Sequence, residues 1–146
     1  MRQKQFTHGQ SLVEFALIIP MVLFLLLGFF DLGRAFFYQS TLSNAVREGT
    51  RSGIVMEFDE NALKTIVLDS AFGLTNSNPP LTADDILITV QHDGDGLQDT
   101  LQIMVNYCFV PVTPGIALLL GQNCTNGGQG VDLTAESVMH FEPAFK

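Results

Sequence analysis

The hydrophobic pattern divides the chain into a long apolar stretch near the N-terminus and a more polar remainder. Residues 15–30 form a run without a charged side chain, bounded by Glu14 and Asp31. As a helix, residues 12–30 would be about 28 Å long, close to the thickness of a bilayer's hydrocarbon core. The pattern therefore predicts a membrane anchor helix over residues 10–33.

Helical periodicity continues beyond the anchor. Apolar or small residues recur there at spacings of three and four, which is typical of one buried helix face: Ala35, Tyr38, Leu42, Ala45, Gly49, Gly53 and Met56. This stripe predicts a helical stalk over residues 34–56, continuous with the anchor as one helix from about 11 to 55. Its small residues would let a sheet or a second helix approach closely. The alternative is two helices with a break near Gly33.

The remainder, residues 57–146, predicts a small globular domain. Asp59 is a good N-cap for a short helix that would end near Phe72. Alternating apolar residues predict three strands, over residues 86–91, 101–110 and 131–141. The composition of residues 92–99 is typical of a turn between the first two strands. The expected fold is therefore α+β, with one long helix packed on a small antiparallel sheet.

Charge is distributed unevenly along the 146 residues, whose net charge is −8. Residues 1–9 hold Arg2 and Lys4 and no acid, so all fifteen acidic residues lie beyond them. Basic residues before an apolar run favour a cytoplasmic N-terminus and an extracytoplasmic C-terminal domain. Arg34 follows the run, but Asp31 can pair with it one helical turn away. An acidic domain repels phosphate backbones, so nucleic acid is not an expected partner.

Three kinds of N-terminal segment begin with a short basic stretch and continue into a long apolar run. A cleaved secretory signal needs a shorter apolar core and a small-residue cleavage site after it, and neither is present. A plain signal anchor fits the length of the run. It does not explain Glu14, because a carboxylate near the hydrocarbon region costs up to about 3 kcal/mol at a helix centre and less near the interface.

The third possibility accounts for Glu14. Residues 9–15, with the sequence GQSLVEF, resemble the processing site of type IV prepilin-like proteins. The resemblance implies that a prepilin peptidase removes a leader, residues 1–9, by cutting between Gly9 and Gln10. Glu14, followed by Phe15, then becomes the fifth residue of the mature chain. In that family the glutamate is thought to pair with the new amino group of a neighbouring subunit and to set the register during assembly.

Two further segments narrow the resemblance. Residues 31–38 (DLGRAFFY) and 42–53 (LSNAVREGTRSG), together with residues 9–20, are similar to TadE-like proteins, the minor pseudopilins of tight-adherence pilus systems. The similarity is close over residues 9–53 and resumes near residues 105–111 and 133–143. It implies a pilin-like fold, and as partners the prepilin peptidase, other pilins and the inner-membrane assembly platform.

The two cysteines, Cys108 and Cys124, both follow the apolar run. If the run places them outside the cytoplasm, they are expected to form an intrachain disulfide, since disulfides persist in oxidising compartments. The alternative is a buried thiol at Cys108 and a free loop thiol at Cys124. The cysteines are not part of the family resemblance.

Catalytic and metal-binding chemistry is not expected. Asp93, Asp95 and Asp99 lack the remaining ligand positions of an EF-hand loop, so a plain turn is the better interpretation. The three histidines have no metal-ligand spacing with one another or with the cysteines. No nucleophile elbow, phosphate-binding loop or dinucleotide motif occurs. The sequence thus predicts no enzyme, no cofactor and no metal.

An apolar stretch, residues 114–121, interrupts a loop region of the domain. It is typical of core packing or of a short helix. The other interpretation is a patch that contacts another subunit or the membrane.

Two functional hypotheses follow from the sequence. The first is a minor pilin of the bacterial inner membrane that acts in the assembly or initiation of an adhesive pilus and has one membrane span in contact with the lipid bilayer. The second is a signal-anchored extracytoplasmic binding module that is not part of a filament. Retention of residues 1–9 in the mature protein would favour the second.

Overall fold

A computed structural model describes residues 8–56, 59–92, 99–113, 124–125 and 128–140, apart from the side chains of residues 8, 92 and 99. The described residues form two α-helices, a short 3-10 helix (Ala83–Asp85) and three strands: α1 (His8–Val55), α2 (Glu60–Ser70), β1 (Ile86–His92), β2 (Asp99–Phe109) and β3 (Val131–His140). The strands form one antiparallel sheet in the order β1-β2-β3. The predicted α+β fold, a long N-terminal helix packed on a small sheet, is confirmed.

Helix α1 is continuous over its 48 residues. It passes through Pro20 and through Gly33, so the alternative of a break near Gly33 is wrong. Its first part stands free of the rest of the chain, whereas the part from Asp31 onward packs on the domain. One continuous element therefore joins the apolar run to the globular domain.

The register of the sheet places alternate residues on the face that meets α1. Ile86 pairs with Val105 in β2, and Val105 pairs with Ala135 in β3. These three side chains are buried. The alternation predicted for the strands thus has its expected cause, because successive side chains of a strand point to opposite faces.

A hydrophobic core fills the space between the sheet, α1 and α2. Its fully buried members include Leu42 and Val46 of α1, Val67 of α2, and Leu101 and Ile103 of β2. The predicted stripe of α1 faces this core from residue 35 to residue 53. Met56 is the exception, since the helix has ended at Val55 and the Met56 side chain is 59% exposed.

The predicted close approach at the small residues of α1 is also confirmed. A Cβ atom on Gly49 would overlap Val67 of α2, and it would lie 3.3 Å from the side chain of Ile103 of β2. A Cβ atom on Gly53 would overlap Leu101 and press on Leu63. Both the sheet and α2 therefore pack directly against the backbone of α1, as glycine allows.

Helix α2 begins as predicted and ends earlier. The Asp59 carboxylate accepts hydrogen bonds from the backbone N–H groups of Asn61 (3.0 Å) and Ala62 (3.4 Å), which makes it the N-cap. The helix stops at Ser70, two residues before the predicted end near Phe72, and Phe72 lies beyond it with 81% of its surface exposed. Gly73 has a φ of 83°, a left-handed conformation that favours glycine and turns the chain.

Candidate functional site

The first turns of α1 present the predicted processing and assembly residues on the helix surface. Gly9, Gln10, Glu14 and Phe15 are all exposed. Gly9, Gln10, Val13, Glu14 and Leu17 line one shallow surface groove on the helix. Because Gln10 and Glu14 are four residues apart, they lie on the same face about 6 Å apart along the axis. The processing and assembly roles of these residues remain predictions.

The next part of α1 is an apolar stretch that the rest of the protein leaves uncovered. The most apolar 18-residue window of α1 has a mean hydropathy of 2.6, and none of it is buried within the protein. Leu17 is 74% exposed and Phe30 is 74% exposed. So large an exposed apolar surface marks a membrane or protein contact. Among the described residues, α1 is the one helix long and apolar enough to cross a membrane.

Asp31 marks the point at which α1 enters the domain. The residue is only 5% exposed, and its carboxylate accepts hydrogen bonds from the loop that follows β2. The donors are Val112 N–H (2.9 Å), Thr113 N–H (2.7 Å) and the Thr113 hydroxyl (2.6 Å). Hydrogen bonds to a charged acceptor are about twice as strong as neutral ones. They hold the loop against α1 one residue beyond the apolar run.

Arg34 completes this junction. Its guanidinium donates to Asp31 at 3.3 Å, so the predicted pairing of these two residues is confirmed. The same group lies 5.5 Å from the ring centre of Tyr38 and 5.3 Å from that of Phe109, within the range of cation–π attraction. Tyr38 in turn contacts the rings of Tyr107 and Phe109 edge to face. The end of the sheet at which β2 finishes is therefore fixed to α1 by charge and by aromatic packing.

A disulfide lies near the same end of the domain. Cys108 and Cys124 are bonded, with 5.6 Å between their Cα atoms, so the predicted pairing is confirmed and the alternative of two thiols is wrong. Both residues are buried. The bond ties the outer face of β2 to the segment before β3, where Thr125 also donates two hydrogen bonds to Asp132.

Gly130 allows this segment to lie close to the sheet. A Cβ atom at that position would overlap the Phe109 carbonyl oxygen and approach both sulfur atoms. The segment therefore needs a glycine here to reach β3 past the disulfide.

The described residues bring together no metal-binding set. They contain no group of three or more histidine, cysteine, aspartate or glutamate side chains placed to hold an ion. His140 lies 3.3 Å from the Thr100 hydroxyl on the outer face of the sheet. Asp93, Asp95 and the apolar stretch 114–121 lie outside the described residues, as do the side chains of His8, His92 and Asp99.

The contact between Asp31 and the loop after β2 was not predicted. The sequence signal was a lone carboxylate at the end of an apolar run, which local spacing assigned to Arg34 alone. Its principal partners are more than eighty positions away. No periodicity connects such distant residues.

The comparisons with known proteins fall on the N-terminal part of the chain. Residues 9–51 match the family model of TadE-like proteins, which confirms the resemblance over that range. The matched range is under a third of the chain, and the similarity noted in β2 and β3 lies beyond it. No curated protein and no solved structure matches the chain.

Proposed function

Because residues 9–51 are TadE-like, we propose that the chain is a minor pseudopilin of a tight-adherence pilus system. A prepilin peptidase removes residues 1–9, and the mature protein acts in the assembly or initiation of an adhesive pilus. Its partners are that peptidase, other pilins and the inner-membrane assembly platform. The domain lies outside the cytoplasm and the N-terminus inside, following the basic leader residues Arg2 and Lys4.

The division of α1 into two halves supports this proposal: the bare half is uncovered by the rest of the protein, and the packed half lies against the domain. The bare half exposes large apolar side chains from Leu12 to Phe30, and the packed half supports the core. A helix that is apolar all round needs either lipid or other helices around it. Such an element can lie in the bilayer before assembly and against copies of itself or other pilins afterwards.

The direct test is the N-terminus of the mature protein. We expect mass spectrometry of the chain, isolated from membranes that contain the peptidase, to show Gln10 as the first residue. Membranes without the peptidase should yield the chain with residues 1–9 intact. An intact leader in both membranes would contradict the proposal and favour a signal-anchored binding module.

Substitution of the residue before the cut should block processing. Gly9→Phe places a bulky ring in a position where the peptidase is expected to need a slim backbone. We expect this variant to keep residues 1–9 in peptidase-containing membranes. Gly33→Phe is the matched control, because Gly33 is also an exposed helical glycine, with open space where a Cβ atom would lie. Equal processing of the two variants would remove the role assigned to Gly9.

Replacement of Glu14 should separate processing from assembly. Glu14→Ala removes the carboxylate that would pair with the amino group of a neighbouring subunit, a pairing that offsets its cost near the hydrocarbon region. We expect normal loss of residues 1–9 and a marked loss of pili on the cell surface, counted by electron microscopy. Glu48→Ala, which changes an exposed glutamate further along α1, should leave both unchanged. Full piliation of the processed Glu14→Ala strain would disprove the register role.

A further inference from the structure

The end of the domain at which β2 finishes lies beside the apolar run. Helix α1 and strand β2 run in opposite directions, since Gly53 meets Leu101 and Arg34 meets Phe109. The chain therefore leaves β2 at the end of the sheet that is nearest the apolar run. We call residues 110–113, which follow β2, the base loop.

Asp31 fixes the position of the base loop along the axis of α1, which we call its height. The backbone N–H groups of Val112 and Thr113 lie 2.9 and 2.7 Å from its carboxylate oxygens. Asp31 follows Phe30, the last residue of the apolar run. Any bilayer that the run spans must therefore end at the level of the base loop.

The side chains at this level are apolar and uncovered. Val112 is 68% exposed although its backbone N–H is bonded to Asp31, and Val110 is partly exposed. On α1, a set of exposed phenylalanines lies both below and above Asp31: Phe29, Phe30, Phe36 and Phe37. Apolar and aromatic side chains at the edge of a membrane span are typical of residues that sit in the headgroup region.

An apolar recess opens between α1 and the base of the sheet. It has a volume of about 190 Å³, and its lining extends from Gly28, within the apolar run, past Leu32 to Phe109 and Pro111. A recess of this size is below the range of roughly 300–1,000 Å³ that is usual for small-molecule sites. It can take part of an acyl chain, and it is continuous with the surface of the apolar run.

We propose that the base of the domain is a second lipid-contacting surface, with the Val112 side chain and the recess in contact with the lipids of the extracytoplasmic leaflet. The proposal rests on the membrane span of the proposed function. Its occupant is lipid because the surface continues the span without interruption, and because Asp31 holds it at the height of the bilayer boundary. The domain thus rests on the membrane at a fixed height above the anchor.

The chain contains no tryptophan, so single tryptophans can report on three heights. Leu23→Trp lies within the apolar run, where residue 23 is 54% exposed. Val112→Trp lies in the base loop and leaves the backbone hydrogen bond to Asp31 in place. Leu87→Trp is the matched control, because residue 87 is 54% exposed on the outer face of the sheet. Residue 87 also lies far from the base loop. Its neighbour Ile88 pairs with Ile103, and Ile103 packs beside Gly49, which is about 27 Å along α1 from Asp31.

The experiment uses each full-length variant reconstituted in phosphatidylcholine vesicles that carry bromine on the upper part of the acyl chains, bromine near the chain ends, or no bromine. We expect Leu23→Trp and Val112→Trp to emit at shorter wavelength than Leu87→Trp and to lose much of their fluorescence to the brominated lipid. Leu87→Trp should keep its fluorescence. Circular dichroism checks that the three variants are folded alike.

The outcomes separate this inference from the membrane span itself. If Leu23→Trp is not quenched, the span is wrong. If Leu23→Trp is quenched and Val112→Trp behaves like Leu87→Trp, the lipid contact at the base is wrong. Shielding of Val112→Trp without bromine quenching, lost when the protein is diluted in lipid, would assign the surface to a second copy of the chain and also overturn the proposal.

Discussion

The variant Asp31→Asn is expected to lose about 3 kcal/mol of unfolding free energy, because the substitution removes the charge from a buried acceptor of several hydrogen bonds. One carboxylate oxygen accepts from Arg34 and Val112, and the other accepts from the backbone and hydroxyl of Thr113. Asparagine has the same size but only one acceptor oxygen. Its NH₂ group would face donors and leave at least one buried N–H group without a partner.

The measurement is urea unfolding of the full-length chain in detergent micelles, followed by tyrosine signals. Tyr38 and Tyr107 pack next to the junction and report on it directly. Asp69→Asn is the matched control, since Asp69 is exposed on α2 and its change should stay within about 0.5 kcal/mol. An Asp31→Asn chain as stable as the Asp69→Asn chain would show that the hydrogen bonds of Asp31 do not stabilise the domain.

The elements of this fold follow from local patterns in the sequence. The alternation at residues 86, 88 and 90 and at 101–109 predicted β1 and β2 within two residues, because half-buried strands impose a period of two. The stripe of α1 was predictable for the same reason at the helical period. Gly49 and Gly53 were informative because glycine at two successive turns of a helix indicates close packing.

The errors lie where an element ends. Met56 and Phe72 continue the apolar spacing of α1 and α2, yet both side chains are exposed because each helix has stopped before them. Gly73 was the available signal for the end of α2, since a glycine that can adopt positive φ is typical just beyond a helix. Periodicity alone cannot separate the last residue of a helix face from the first residue after it.

The candidate site was predictable in its N-terminal part and not at its junction. Gly9, Gln10, Glu14 and Phe15 are neighbours in sequence, so a short motif could identify them. The hydrogen bonds from Thr113 to Asp31 join residues 82 positions apart and depend on where the whole sheet docks on α1. Tertiary packing decides such contacts, and only the structure reveals that the apolar run ends beside the base loop of the domain.

The disulfide carries the second large effect on stability. The two cysteines are 16 positions apart, and in the chain-entropy account closing a loop of this length stabilises the folded state by about 3 kcal/mol. We therefore expect the double variant Cys108→Ala/Cys124→Ala to unfold at lower urea concentration by that amount. Alanine is the suitable replacement because both cysteines are buried. A serine would add an unsatisfied hydroxyl group.

Reduction gives an independent measurement of the same bond. Dithiothreitol should lower the stability of the wild-type chain toward that of the double variant and leave the double variant unchanged. Equal stability of the oxidised wild type and the double variant would mean that the bond does not stabilise the domain against global unfolding. Because the bond joins the outer face of β2 to the segment that leads into β3, hydrogen exchange in residues 124–132 would then show whether it restrains that segment alone.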